Sequence, residues 1–225
     1  MLKRAHKQLF YDMCGPLMRL NGWTYRRIRA PKAGVVKVQL GPGQGKYLDG
    51  WVNVDANMFT GKCDVWTDLR FALPFRDNTV DVFYSHHVIE HLPDIPGHFR
   101  EMYRCLKPGG VFRVGGPNGD SAIRKFAEGD MEWFGDFPDK RDSLGGRFEN
   151  FIFCRGEHLS ILTASYLSEI CKNIGFVDFT VRRPCDDTGF PQFIDEQVLS
   201  KEYENTPDTP HTLLVEARKP AVGTT

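Results

Sequence analysis

The chain of 225 residues has no pair of cysteines at CxxC spacing, although it holds six cysteines. Cys14, Cys63, Cys105, Cys154, Cys171 and Cys185 are scattered, which speaks against a zinc knuckle or a disulfide framework and fits reduced thiols buried as small core residues. No apolar run approaches the roughly 18 residues needed to cross a bilayer, and the first residues lack the apolar stretch of a signal peptide. A cytoplasmic location is therefore expected. Net charge is also missing: 29 basic residues balance 29 acidic ones, so nothing global points to nucleic acid or another polyanion. There is no internal repeat and no low-complexity tract. What imbalance exists is local. Residues 1–32 carry Lys3, Arg4, Lys7, Arg19, Arg26, Arg27, Arg29 and Lys32 against Asp12 alone, interleaved with Leu9, Phe10, Met13, Leu17, Met18 and Trp23. Such an arm either lies on an anionic membrane surface or a protein partner, or packs on the domain as a helix by its apolar side; the second reading is the more economical.

A further shortage lies inside the most informative stretch, 38–57, VQLGPGQGKYLDGWVNVDAN. It reads as strand, glycine-rich turn and second strand ending in an acid, the layout of an α/β nucleoside site. A dinucleotide-binding unit needs a helix between glycines and acid, and the acid then falls about 20 residues on. Here Asp55 follows Gly45 by ten residues. Strands at 35–40 and 51–55 leave a crossover at or below the shortest usual length of about 10–12 residues, so any helix is vestigial. A ligand gripped by its pyrophosphate is disfavoured, and a nucleoside held by its ribose is favoured.

Further along, 63–67 reads as a short strand and 80–85, VDVFYS, as a buried one closed by His86 and His87. Phe99, Met102, Tyr103 and Leu106 fall at helical spacing within 95–106, with Pro108-Gly109-Gly110 as the expected stop and a strand at 111–115. This alternation predicts an α/β fold with a mostly parallel, helix-covered sheet. Residues 118–157 break the pattern with glycine, charge and the aromatics Phe126, Trp133, Phe134, Phe137, Phe148, Phe151 and Phe153. Stretches of this kind in compact domains usually carry function, and an acceptor-covering insertion is expected. A helix capped by Thr163 and stopped by Gly175 follows. Strands at 176–181 and 212–217 are joined by an acidic connection, 184–210. One domain over 33–219 is expected, with a frayed tail at 220–225.

Four motifs in order, LGPGQG with Asp55, DLRFALPFRDNTVDVFYSHHVIEHL, REMYRCLKPGGVFRV and a late IGF, together resemble a class I S-adenosyl-L-methionine-dependent methyltransferase of the type-11 group. The similarity extends to a branch with a short first crossover and a GW(I/V)N(I/V)D second strand, whose members accompany polysaccharide or cell-surface glycan biosynthesis. The resemblance implies a Rossmann-like, seven-stranded sheet with an antiparallel last strand, and S-adenosyl-L-methionine as cofactor. It places Gln39, Leu40, Gly41, Pro42 and Gly43 along the cofactor's methionine and ribose, Asp55 and Ala56 at the ribose, Asp68 and Leu69 at the adenine, and Ser85 and His86 beside the sulfonium. Gln39 departs from the group's pattern, which has an acid there, and offers the ammonium only an uncharged amide.

His87-Val88-Ile89-Glu90-His91 also satisfies HxxEH, a zinc-peptidase signature that requires a sustained helix and a third ligand from elsewhere. Pro93 and Pro96 cut any helix short. A zinc hydrolase is thus disfavoured, and no metal site is expected from His86, His87 and His91. For methyl transfer to a hydroxyl, His87 and His158 are the candidate bases, being the residue type that titrates near neutrality, with Asp120 as a third candidate or a helix cap. The expected activity is O-methylation of a small-molecule or glycan hydroxyl; a cofactor-binding but catalytically idle partner protein is the alternative. No nucleic acid partner is expected, since the strand end reads GGPNGD in place of a DPPY-type motif.

Overall fold

The computed structural model describes residues 4–57, 61–204, 206 and 208–223. Of the basic arm, Lys3 and the side chains of Arg4 and Lys7 lie outside the described residues, as do Thr224 and Thr225 of the tail. Seven strands form one sheet: β1 (Lys37–Leu40), β2 (Val52–Asp55), β3 (Val65–Trp66), β4 (Val80–His86), β5 (Leu106–Pro117), β6 (Val177–Arg182) and β7 (Thr212–Arg218). Their order is β3-β2-β1-β4-β5-β7-β6, with β1 to β5 parallel and β7 antiparallel to both β5 and β6. The chain steps outward from β1 to β3 and then returns to place β4 on the other side of β1. The carboxyl ends of β1 and β4 therefore flank the topological switch point, where open α/β sheets bind ligands.

The two sheet faces are covered differently. On one lie α2 (Ile95–Cys105) and α5 (Ala164–Ile174), which bury Phe99, Met102, Leu167 and Ile170 against Phe83, Phe112, Val114 and Val215. Asp94 caps α2 by accepting from the Gly97 amide, and Thr163 caps α5 by accepting from Tyr166. The expected stop at Pro108-Gly109-Gly110 is corrected: α2 ends at Cys105 and β5 begins at once, pairing Leu106 with Val80 before a register shift brings Val111 opposite Val82. The proline and glycines form that bulge.

The other face lacks the crossover helix between β1 and β2, as the short spacing implied, and 41–51 is a helix-free loop. Asn53, fully buried in β2, pins it: its Oδ1 accepts from the Leu48 amide, and its Nδ2 donates to the carbonyls of Leu48 and Trp51. The acidic connection supplies the missing cover. Ile194 and Val198, the latter in the short α6 (Glu196–Leu199), pack with Leu48 and Trp51 on Val82, Tyr84 and Val111. Beneath them a polar row crosses the sheet in register, Asn53, Gln39, Tyr84, Arg113 and Glu216. Arg113 is fully buried; its Nε and Nη2 donate to the two oxygens of Glu202 at 2.7 and 2.8 Å, and its Nη1 donates to Glu216 at 2.7 Å and to the Asp187 carbonyl.

The basic arm is α1 (Arg4–Thr24), continued by a π-turn over Tyr25–Arg29. It does not pack by its apolar side. Gly15, Met18 and Gly22 face the domain, and a side chain at Gly22 would strike Thr67 Oγ1 at 2.6 Å. Leu9, Met13, Leu17, Leu20 and Trp23 are each more than half exposed on the outer face. Close approach at Gly22 beside Thr67, together with the buried Met18, seats the helix and leaves Leu9, Met13, Leu17, Leu20 and Trp23 outside. The 118–157 stretch forms α3 (Gly119–Glu128) and α4 (Leu144–Phe153) around its own core of Ala122, Trp133, Phe134 and Ile152.

Replacing Arg113 by Met leaves Glu202 buried without its counter-charge and Glu216 with Arg182 alone. A loss of about 3–5 kcal/mol is expected, read as a lower urea midpoint, with 184–204 becoming the first segment cut in limited proteolysis.

Candidate active site

The glycine loop, Asp55 and the end of β4 meet at the switch point. Gly41, at φ +69°, donates its amide to the Val54 carbonyl, and a Cβ there would lie 2.3 Å from Val88 Cγ2. Glycine is needed at this position both for the left-handed backbone and for the approach of Val88. Gly43 and Asn57 donate their amides to Oδ2 and Oδ1 of Asp55, each at 2.9 Å. The carboxylate thus ties both sides of the turn together while each oxygen keeps a lone pair. A Cβ at Gly43 or Gly45 would meet nothing within 4 Å, so the loop borders open space, whereas one on Gly61 would fall 2.2 Å from the Gly43 carbonyl. Gly61 is a positioning residue that sequence reasoning missed.

Leu40 and Pro42 are buried beside this loop, and Ala56 is buried with its carbonyl accepting from Trp66 Nε1. Leu40 stands opposite Ser85 across β1 and β4. Gln39 Oε1, Ser85 Oγ and His86 Nε2 are buried without a hydrogen-bond partner among the described residues. Orphaned polar atoms at a strand-end crevice are what a polar ligand would satisfy. Asp68 is placed differently from expectation. Its carboxylate is buried and taken by Arg70, whose Nε and Nη2 contact both oxygens, while the guanidinium rests 4.3 Å from the Tyr11 ring centre. Leu69 sits next to it, its carbonyl accepting from His98 Nδ1. Burial and then the negative charge of Asp68, with a smaller contribution from Asp55, push the Tyr11 phenol up. Tyr11 of α1 thus lies beside the Asp68–Arg70 pair, a placement that only the fold reveals.

His86 is stacked on Tyr84, and its Nδ1 lies 3.3 Å from Lys46 Nζ. Burial, and then the charges of His87 and Lys46, lower its pKa to about 2, so it is neutral. His87 follows with φ +57°, a conformation costly for a β-carbon-bearing residue and concentrated at functional sites. Its Nδ1 is 3.1 Å from Glu90 Oε1 and its Nε2 is 3.2 Å from Thr212 Oγ1. With Nδ1–H donating to the carboxylate, Nε2 is the basic nitrogen, held in place by Glu90. Burial raises the Glu90 pKa, but the His87 hydrogen bond and the charges of His87 and His91 outweigh it and leave the carboxyl below its ordinary value.

HxxEH does not form a zinc-peptidase helix. His87 is left-handed, Val88 is non-helical and only Ile89–His91 makes a 3-10 turn, so the two histidines do not stand one helical turn apart. Instead the Glu90 carbonyl accepts from the Leu159 amide and His91 Nδ1 donates to the Glu157 carbonyl, which brings His158 to the site. Burial pushes the His158 pKa down. Asp120 serves as a cap of α5, accepting from the Ala164 amide at 2.7 Å. The insertion's aromatics are largely spent on packing: Trp133 stacks on His211 at 4.1 Å and touches Phe134 and Phe151.

Residues 58–114 match the model of the family described as "Methyltransferase domain". The chain resembles a SAM-dependent methyltransferase of Thermotoga maritima, described as a possible histamine N-methyltransferase, at TM-score 0.51 and 16% identity, over 96% of each chain. A SAM-dependent methyltransferase from Archaeoglobus fulgidus gives 0.51 and 17% over 93% of this chain and 100% of that one. The fold is that of class I SAM-dependent methyltransferases. Among curated proteins, sterol 24-C-methyltransferase erg6 of Schizosaccharomyces pombe is 48% identical over 42 residues, 19% of this chain and 11% of its own. A probable S-adenosylmethionine-dependent methyltransferase of Mycolicibacterium smegmatis is 50% identical over 46 residues, 20% of this chain and 18% of its own. The chain thus spans less than a fifth of the length of the curated relatives it matches. Within this methyltransferase fold, the orphaned atoms and the open glycine loop suit S-adenosyl-L-methionine.

His98 of α2, fully enclosed, has its pKa lowered to about 4 by burial. The folded chain holds His86 and His98 neutral at a pH where the unfolded chain, at about 6.5, protonates them. The stability these two histidines contribute is therefore full above about pH 6.5 and falls as pH drops from there, for His98 toward 4 and for His86 toward 2. His98→Gln, which keeps a donor for the Leu69 carbonyl, should lose less of its urea midpoint between pH 7 and pH 4.5 than the wild type does.

Proposed function

We propose that the chain transfers a methyl group from S-adenosyl-L-methionine to a hydroxyl of a small molecule or glycan. The observation that carries this reading is the meeting, at the switch point between β1 and β4, of the glycine loop, the doubly hydrogen-bonded Asp55 and the His87–Glu90 pair. Bound there, the cofactor supplies an electrophilic methyl on a sulfonium. Asp55 holds the ribose hydroxyls through its remaining lone pairs, the loop at Gly41 to Gly45 gives close backbone approach, and Ser85, His86 and Gln39 meet the methionine end. For Asp68 to reach the adenine, Arg70 must yield one of its contacts; otherwise Asp68 serves to fix Arg70 and Tyr11 over the ring.

With a hydroxyl acceptor in place, His87 would accept its proton at Nε2, the position now held by Thr212 Oγ1, and the bound cofactor would supply the methyl group. Glu90 keeps the imidazole in the tautomer that can do so. The sterol C-methyltransferases among the relatives share only short segments with this chain, and a carbon acceptor has no hydroxyl to be deprotonated by this pair. The acceptor enters between the 118–157 insertion and the β4 end, and a glycan fits the exposed rings of Phe126, Phe137 and Phe153.

Titration calorimetry with S-adenosylhomocysteine should show one site, weakened at least about 10-fold in Asp55→Ala. His87→Ala should leave that affinity in place and lower turnover on hydroxyl acceptors by about 10²- to 10⁴-fold. Absence of heat at millimolar ligand overturns the reading; bound ligand with no transfer to any sugar or metabolite hydroxyl favours an idle partner protein.

The outer stripe of α1, with Arg19, Arg26, Arg27 and Arg29 alongside, supports peripheral contact with an anionic surface at the inner face of the membrane. Among the described residues no helix is long and apolar enough to cross a membrane. Sedimentation with phosphatidylserine vesicles, lost in Leu17→Glu and at high salt, checks this; equal sedimentation with neutral vesicles would sink it.

A further inference from the structure

The geometry points to a divalent transition-metal site formed by Glu90, His91 and His158, beside the methyl-transfer crevice. One donor atom from each lies within 4.8 Å of the other two. Both imidazoles are set up to bind through the same nitrogen. His91 Nδ1 faces the Glu157 carbonyl at 3.0 Å, and His158 Nδ1 faces the Ile152 carbonyl at 3.0 Å. A carbonyl only accepts, so each Nδ1 carries the proton and each Nε2 presents a lone pair. Backbone carbonyls on the far nitrogen are the usual outer support of a metal-bound histidine. The two rings meet edge to face with centres 4.9 Å apart, and His91 Nε2 lies 3.9 Å from Glu90 Oε1.

Glu90 supplies the charge. It has no exposed surface, and its Oε2 has no hydrogen-bond donor among the described residues. The His87 hydrogen bond at Oε1 already keeps the carboxyl ionised, and that buried charge, with Oε2 left unpaired, calls for a further partner. A cation between the carboxylate and two neutral imidazoles provides it, and His87 then steadies the ligating carboxylate from outside. Tetrahedral zinc bonds of about 2.0–2.2 Å place neighbouring donors roughly 3.4 Å apart, so the three groups close by an ångström or so on binding. The donor set of two imidazoles and one carboxylate suits zinc, cobalt(II) or iron(II) and leaves coordination positions open. His91 keeps 42% of its side chain exposed, which gives the ion a route in.

The sequence concealed this set because its third member is remote. The HxxEH spacing suggested His87 and His91 as the histidine pair, whereas the fold turns His87 away to Thr212 and inserts His158 instead. An open position at this ion fits an acceptor carrying a hydroxyl, alone or with a neighbouring oxygen, and would lower that hydroxyl's pKa, which eases loss of its proton. This consequence, though not the site itself, rests on the methyl-transfer reading.

The test is titration of the chelator-treated full-length protein with cobalt(II) and zinc chloride. One equivalent per chain is expected, with the visible ligand-field bands of a nitrogen and oxygen site. His91→Ala and His158→Ala should each weaken zinc at least about 10-fold; His91 is partly exposed, so its loss leaves the fold intact by circular dichroism. Glu90→Gln should abolish the bands. No stoichiometric binding, binding unchanged in both histidine variants, or thiolate-to-cobalt charge-transfer absorption from one of the cysteines would each overturn the site. S-adenosylhomocysteine titrated into the same samples reports the cofactor crevice separately: metal without cofactor binding defeats only the methyl-transfer reading, and cofactor without metal defeats only this one.

Discussion

A guanidinium without solvent contact, in the second of the sheet's central strands, organises one half of this molecule. Arg113 cannot shed its charge, so its burial in β5 requires that carboxylates reach it there. One comes from the neighbouring strand, Glu216, directly opposite in register; the other, Glu202, has to be carried in by the 184–210 connection. Glu216 further accepts from Arg182, Thr188 and the Gly189 amide, and Glu202 from the Cys185 amide. These bonds fix the acidic connection on the face from which the crossover helix is missing. The apolar contacts of Ile194 and Val198 with Leu48 and Trp51 then complete the layer, and the short glycine loop is held from behind. The connection's acidity is a structural requirement of Arg113 before it is anything else.

The loop's stiffness carries over to the site. Asn53 locks its far end, Asp55 its near end, and Val88 presses on Gly41 so closely that any side chain there would collide. Val88 can take that position only because His87 adopts a left-handed backbone, turning the chain sharply at the end of β4. One local distortion therefore does two things: it seats Val88 over the cofactor loop, and it aims the His87 ring back between Glu90 and Thr212. Strain of this kind persists when neighbours over-determine it. Here the His87 amide donates to Gly115 and both ring nitrogens are engaged.

The core of this architecture was legible because it rests on local rules. Strand runs such as VDVFYS, the Thr163 and Gly175 boundaries of α5, and the short interval from Gly45 to Asp55 each express a constraint acting within a dozen residues. The α2 stop was misplaced for a non-local reason: pairing of Leu106 with Val80 ends the helix before the proline and glycines are reached. The outward stripe of α1 was likewise hidden, since a periodic apolar pattern does not say which face meets a domain when glycines allow closer approach. Asp68 shows the same limit at the site. Its partner Arg70 is two residues away, but the guanidinium also rests on Tyr11, supplied by a helix some sixty residues earlier.

The same distinction separates what holds the cofactor from what selects the acceptor. The contacts proposed for the cofactor come from strand ends, so they are written as compact motifs. The region where an acceptor would lie is assembled from the β4 end, the 157–159 segment and Thr212, three pieces with no sequence relation to one another. The insertion's aromatic wealth, the conspicuous feature of the composition there, is mostly consumed in stacking Trp133 on His211 and in packing Phe134 and Phe151 around it. What remains facing the crevice is polar: His87, His91, His158 and the carboxylate of Glu90 that they share. On the proposed reading, three imidazoles around one buried charge distinguish acceptors by the oxygens they present, because a polar group brought here without a partner pays its full desolvation cost. Under that methyl-transfer reading, this arrangement favours recognition by oxygen pattern, with aromatic contact confined to the exposed rim.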